Sequence, residues 1–90
     1  MTRFYLHVFN SSRAFDTEGC ELPDLETATL NAVQGARELI AEDILAGRPI
    51  SQRHRIEITG DDGRLLHAVC FGDVMQLQPD EPLRPIPAYR

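Results

Sequence analysis

PDLETATLNAVQGARELIAEDILAG, residues 23–47, is the stretch of this chain that decides its fold. Its apolar residues recur at helical spacing, and three of the central ones are alanine. Asp24 is a good N-cap, and Gly47 followed by Pro49 supplies a stop. The stretch predicts one long amphipathic helix whose axis lies close to a sheet. Asp43 falls within the apolar stripe, so its carboxylate needs a hydrogen-bond donor unless the last turn rises clear.

The segment before the helix predicts a strand hairpin. Residues 3–10 alternate apolar side chains, Asn10-Ser11-Ser12-Arg13 is a turn cluster, and residues 14–22 form the returning strand. A four-residue loop pairs Val8 with Phe15 and His7 with Asp16. The expected core face carries Phe4, Leu6, Val8 and Phe15, and the opposite face carries Tyr5, His7, Phe9, Asp16 and Glu18.

A second hairpin is predicted after the helix. Residues 53–59 and 64–71 are the strands, and Gly60-Asp61-Asp62-Gly63 is the turn, with Gly63 in the left-handed conformation. In this register Ile58 faces Leu66. One face then holds Ile56, Ile58, Leu66, Ala68 and Cys70, and the other holds Arg55, Glu57, Leu65, His67, Val69 and Phe71. A short piece at the sheet edge is expected over 74–77.

These elements predict an α+β fold. The order is β-β-α-β-β, with a four-stranded, mainly antiparallel sheet and one long helix packed on one of its faces. Residues 1–78 are expected to form a single domain, and residues 79–90 a proline-rich tail.

Composition argues against several classes of function. The formal net charge is −5, and the nine basic residues, all arginine, are dispersed along the chain. We therefore expect no nucleic-acid binding through bulk charge. No apolar run approaches the roughly 20 residues of a membrane span, and no signal segment is evident, so we expect a cytoplasmic protein without membrane association. Cys20 and Cys70 are expected to be reduced, buried thiols.

One helix covers one face of a sheet, so large apolar side chains are expected on the uncovered face. Contiguous apolar surface on a small protein usually marks a partner site. The pattern predicts a homodimer, with an unidentified protein partner as the alternative occupant. The candidate interface residues are Tyr5, Phe9, Leu65, Val69 and Phe71.

A few titratable side chains on the same face could form a shallow polar pocket. Imidazole beside carboxylate can bind a metal or transfer protons, although cross-strand His–acid pairs also stabilise exposed strands. The candidate pocket residues are His7, Asp16, Glu18, Glu57 and His67. No residue is assigned a catalytic or metal-binding role, and no cofactor is expected, because the chain carries no phosphate loop, nucleophile elbow or paired metal-ligand motif.

Three motifs resemble a family of short uncharacterised bacterial proteins known only as a domain of unknown function. They are Phe4-Tyr5-Leu6-His7-Val8, then Glu18-Gly19-Cys20-Glu21-Leu22-Pro23-Asp24-Leu25, and Asp62-Gly63-Arg64. The resemblance covers residues 3 to about 74. It implies no activity and assigns no functional residues.

A weaker similarity links Pro23-Asp24-Leu25 and the following helix to the HicB-type antitoxins, without their glycine-rich segment. It is a similarity of shape only. Two hypotheses follow from the sequence: a non-catalytic, dimeric protein-interaction module, or an antitoxin-like or regulatory binding protein. A small enzyme or metal binder that uses the His–acid pairs is the third choice.

Overall fold

The computed structural model describes residues 1–77, and the predicted proline-rich tail lies outside this range. The elements run in the following order: β1 (Thr2–Phe9), β2 (Arg13–Ala14), β3 (Cys20–Leu22), α1 (Leu25–Ala46), β4 (Arg55–Thr59), β5 (Leu65–Cys70) and α2 (Phe71–Met75). The α+β prediction is confirmed. All strand pairs are antiparallel, in the order β2-β1-β4-β5, with β3 also pairing with β1.

Helix α1 begins and ends where local chemistry dictates. The Asp24 carboxylate accepts from the backbone N–H of Thr27 at 2.8 Å and from its hydroxyl at 2.7 Å. Gly47 adopts a left-handed conformation with φ of 71° and caps the other end. The buried Asp43 finds its donor just beyond that end, because Nε of Arg48 lies 2.8 Å from its carboxylate. The last turn is therefore tied to the segment that follows it.

The core lies between α1 and one face of the sheet. Three fully buried alanines of α1 allow the close approach that the sequence predicts, and Cδ1 of Ile56 lies 3.6 Å from where a Cβ at Gly35 would stand. The buried hydrophobic residues are Phe4, Ala28, Ala32, Ala36, Ile40, Ile56, Ile58, Val69 and Phe71.

The strand that returns after β1 is interrupted, which corrects the first predicted register. Val8 pairs with Ala14, not with Phe15, and Phe4 pairs with Cys20 further along. The irregular residues between β2 and β3 place Phe15 on the uncovered face of the sheet, where its ring packs against His7 and Phe9. Phe15 is therefore not a core residue.

The register of the second hairpin is also one residue away from the prediction. Thr59 pairs with Leu65, but Ile58 pairs with His67, so one extra residue, Leu66, is accommodated as a β-bulge. Because successive side chains point to opposite faces, this residue exchanges the faces of everything after it. Val69 and Phe71 enter the core as a result.

Two smaller expectations are corrected as well. Residues 71–75 form the short helix α2, so the edge piece expected from residue 74 onwards is helical at its start. Both cysteines are free, but Cys20 is exposed and Cys70 half-buried, so neither is the buried thiol that was expected.

Candidate functional site

The sheet face away from α1 is the first candidate site. On this face β1, β4 and β5 contribute alternate residues, and the strand pairing aligns them in three rows. Within residues 1–77 no second helix covers them. The rows are Tyr5, Thr59 and Leu65; His7, Glu57 and Ala68; and Phe9, Arg55 and Cys70.

Aromatic and cationic side chains cluster at one end of this face. The Phe15 ring meets that of Phe9 edge-on, with centroids 5.6 Å apart, and lies 5.7 Å from that of His7. The Arg55 guanidinium lies 4.6 Å from the centre of the Phe9 ring, and that of Arg13 lies 6.0 Å from it. These neighbours leave Phe9 half-buried. The large apolar side chains that stay in water here are Phe15, 61% exposed, and Leu65, 54% exposed.

The predicted interface is therefore only partly assembled. Tyr5, Phe9 and Leu65 share the uncovered face. Val69 and Phe71 do not, because the bulge turns them into the core, where they are 6% and 0% exposed. Ala68 and Cys70 take their places, so this face is less apolar than expected.

His7 and Asp16, from the predicted polar pocket, are brought together by hydrogen bonds. Nδ1 of His7 accepts from the backbone N–H of Asp16 at 3.0 Å, and its Nε2 lies 3.0 Å from Oγ1 of Thr59. The Asp16 carboxylate accepts from the backbone N–H groups of Leu6, Glu18 and Gly19 at 2.9–3.2 Å. Both side chains thereby fasten the interrupted strand to β1.

The charge of Asp16 follows from these contacts. Burial alone raises the pKa of the carboxyl, but the backbone N–H groups of Gly19, Leu6 and Glu18 bind the ionised form and lower the pKa. The net effect holds the pKa of Asp16 below its ordinary value. Asp16 is thus an anionic anchor for the backbone.

The other three pocket residues do not join this pair in one cluster. Glu57 is the cross-strand neighbour of His7, but its carboxylate binds Nε of Arg55 at 2.6 Å. The Glu18 backbone, not its side chain, makes the contacts to Asp16 and Arg3. His67 pairs with Ile58 and so lies on the face towards α1. In residues 1–77 no three His, Cys, Asp or Glu side chains are grouped so as to hold a metal ion.

A groove that the sequence analysis missed runs along the outer edge of β5. One cavity of about 280 Å³ lies between this edge, α1 and α2, and a second of about 280 Å³ continues it between the two helices. Arg37 and Val74 line both. The sequence of α1 did contain an indication of this groove: a second set of residues at heptad spacing lies beside the core stripe, at positions 30, 33, 37, 40 and 44.

Neither helix in the described range has the length and apolar character of a membrane span. Comparison with curated proteins and with solved structures finds no match. A family model does match, over residues 3–72, which contain the three motifs noted in the sequence. This match confirms the resemblance: the chain belongs to the family described as a domain of unknown function, DUF6894.

Proposed function

We propose that this protein is a non-catalytic interaction module that works as a homodimer. The observation that carries the proposal is the large apolar surface left outside the core. On α1, Leu30 is 64% and Ile44 65% exposed, and Phe15 and Leu65 are similarly exposed on the sheet. Complete burial of one such side chain is worth roughly 1.5–3 kcal/mol. A second copy is the commonest way to cover surface of this kind.

The hydrogen bonds that His7 and Asp16 already make support a structural role for this pair over a catalytic one. Both ring nitrogens of His7 contact protein groups, and the Asp16 carboxylate already accepts three backbone hydrogen bonds. A general base must instead be free to reach a proton on a substrate. The chemistry of this pair is therefore used in holding strands together.

The free cysteines and the net charge bear on where the protein is located and on what it binds. Free thiols at Cys20 and Cys70 suit a reducing compartment, which supports the cytoplasm. The net charge of −5 supports a protein partner over a nucleic acid.

Light scattering on a dilution series tests the dimer. We expect a mass twice the 10.1 kDa of the chain at micromolar concentration. Because the proposed interface is mainly apolar, the mass should stay the same at about 1 M salt, where the Debye length is about 3 Å. A mass of 10.1 kDa at every concentration up to about 100 μM, equivalent to binding weaker than roughly −5.5 kcal/mol, would contradict the proposal.

A further inference from the structure

The outer edge of β5 has no strand partner within residues 1–77. In the described residues β5 pairs only with β4 and is the last strand of the sheet. The Phe71 N–H donates to the carbonyl of His54 at 2.7 Å, so these two residues stand at a hydrogen-bonded pair position at the end of the ladder, although the His54 N–H donates to Ser51 instead. Such pairs alternate along antiparallel strands. Val69 therefore bonds to Ile56, while the N–H and C=O groups of Ala68 and Cys70 point outward.

Beside this edge, α1 carries a second apolar seam. Its members are spaced three and four residues apart, as in helices that pack against another helix. Leu30 and Ile44 are exposed, Val33 is half-buried, and Ile40 belongs to the core. The opposite flank of α1 carries Thr27, Asn31, Glu38 and Glu42, which are polar. Apart from Leu45 near the end of the helix, that flank is polar, so the apolar spacing of the seam is confined to the β5 side.

The groove between edge and seam contains one cation and one anion. Arg37 and Asp73 both line the cavity beside residues 67–70 of β5. Neither takes part in the ion pairs found among residues 1–77. A surface that meets its own copy across a two-fold axis must be self-complementary, and one charge of each sign meets that requirement.

We propose that β5 and the neighbouring flank of α1 form the homodimer interface, with the two β5 strands antiparallel across a two-fold axis. The inference rests on the dimer proposed above and names its surface. With the axis at Val69, Ala68 lies opposite the partner's Cys70, and their outward backbone groups complete the ladder. The two sheets become one continuous sheet, and the α1 seams pack together on one side of it.

A second copy fits this surface better than an isolated peptide does. A peptide strand could satisfy Ala68 and Cys70, but it would leave the seam of α1 in water. The occupant has to bring an extended strand and, beside it, a helix with an apolar flank. A copy of this chain brings both in the required arrangement.

Substitutions at the edge and on the seam test the interface. Ala68→Pro deletes an outward N–H and leaves the β4–β5 ladder intact, which edge strands tolerate. Leu30→Glu places a charge in the seam, and Leu45→Glu is its control on the same helix, since Leu45 is 88% exposed and lies outside the heptad-spaced positions of the seam. We expect the first two to weaken the dimer about tenfold or more and Leu45→Glu to leave it unchanged.

Cross-linking tests the register. In a Cys20→Ser background, Ala68→Cys places a thiol opposite the partner's Cys70, at a Cα separation of about 5.5 Å. Disulfides form at roughly 4.4–6.8 Å. We expect a covalent dimer under mild oxidation, and none when Cys70→Ser is added as the control.

The outcomes separate the two proposals. A dimer that tolerates both Ala68→Pro and Leu30→Glu, but dissociates with Phe15→Glu, would move the interface to the uncovered sheet face and overturn this inference, while the proposed function stands. A dimer that fails to cross-link through Ala68→Cys would overturn the strand pairing. A monomeric wild type would overturn the proposed function itself. Circular dichroism on each variant confirms that the fold is retained.

Discussion

The backbone N–H of Asp16 donates a 3.0 Å hydrogen bond to Nδ1 of the His7 ring. An accepting Nδ1 carries a lone pair, so the proton of the neutral ring is on Nε2, which faces Oγ1 of Thr59 at 3.0 Å. The imidazole thus links the interrupted strand on one side of β1 to β4 on the other. This link gives His7 of the motif Phe4-Tyr5-Leu6-His7-Val8 a structural role.

Removing the Asp16 carboxylate should loosen the same region. Asp16→Ala leaves three backbone N–H groups without their acceptor, and we expect it to lower the free energy of unfolding by about 1–3 kcal/mol in urea titrations. Asp16→Asn keeps one acceptor oxygen and should cost less. An Asp16→Ala protein as stable as wild type would mean that other groups, or solvent, satisfy these donors.

Acid should destabilise the fold through two carboxylates. The pKa of Asp16 is lowered by the contacts described above, and that of Asp24 by the hydroxyl and then the backbone N–H of Thr27, both from an ordinary value of 3.8. A lowered pKa means that the ionised form favours folding, so the contribution is complete above pH 3.8 and is lost as pH falls through the lowered values. Urea titrations in steps below pH 3.8 should show the decline, and Asp16→Asn should reduce its slope. Parallel curves for the two proteins would contradict this role of Asp16.

The small residues of α1 set the distance between helix and sheet. Ala32 is fully buried, so Ala32→Leu forces side chains or the helix to move, and we expect a loss of about 1–3 kcal/mol. Gln34→Leu makes the same side chain on an exposed position and should change stability little. Thermal melts of the two variants provide the comparison. Equal losses would show that the contact face of α1 is assigned wrongly.

Alanine substitutions at Gly19 and Gly47 distinguish backbone strain from steric crowding. Both have φ near +70°, where a Cβ is unfavourable. A Cβ at Gly19 would also stand 2.8 Å from Cε2 of Tyr5 and 3.0 Å from the Phe4 carbonyl oxygen, whereas one at Gly47 meets nothing within 4 Å. We expect Gly47→Ala to cost about 1 kcal/mol and Gly19→Ala clearly more in the same unfolding assay. A smaller loss at Gly19 would contradict the packing of Tyr5 over this turn.

Local chemistry made α1 predictable, whereas strand register depended on packing. Asp24 and Gly47 act within a few residues of themselves, so the sequence alone places both helix ends. In the stretch LLHAVCF, residues 65–71, either set of alternate residues is apolar enough to face the core. The phase that buries Val69 and Phe71 removes more apolar area from water than the one that buries Ala68 and Cys70, and the bulge follows from that difference. The sizes of the side chains at positions 68–71 could therefore have identified the correct phase from the sequence.

The candidate sites were harder to predict than the helix because they too depend on how the strands pair and pack. The sequence predicts the correct face for Tyr5 and Phe9 because β1 is regular, but not for Phe15, because side-chain hydrogen bonds of Asp16 and His7 replace strand pairing there. The groove beside β5 depends on strand order, which brings the edge of the second hairpin under one flank of α1. Nothing local in the sequence sets that order.

The extra residue at Leu66 allows homologous chains to differ in length at this point without a change of core. A relative that lacks one residue between the turn and Val69 can keep the pairing of Val69 with Ile56, because its strand then runs without a bulge. Such a deletion should therefore leave the order of small and large residues from Ala68 to Phe71 unchanged. A one-residue gap at this point of an alignment would mark the loss of the bulge and not a change in the face of β5 that packs against α1.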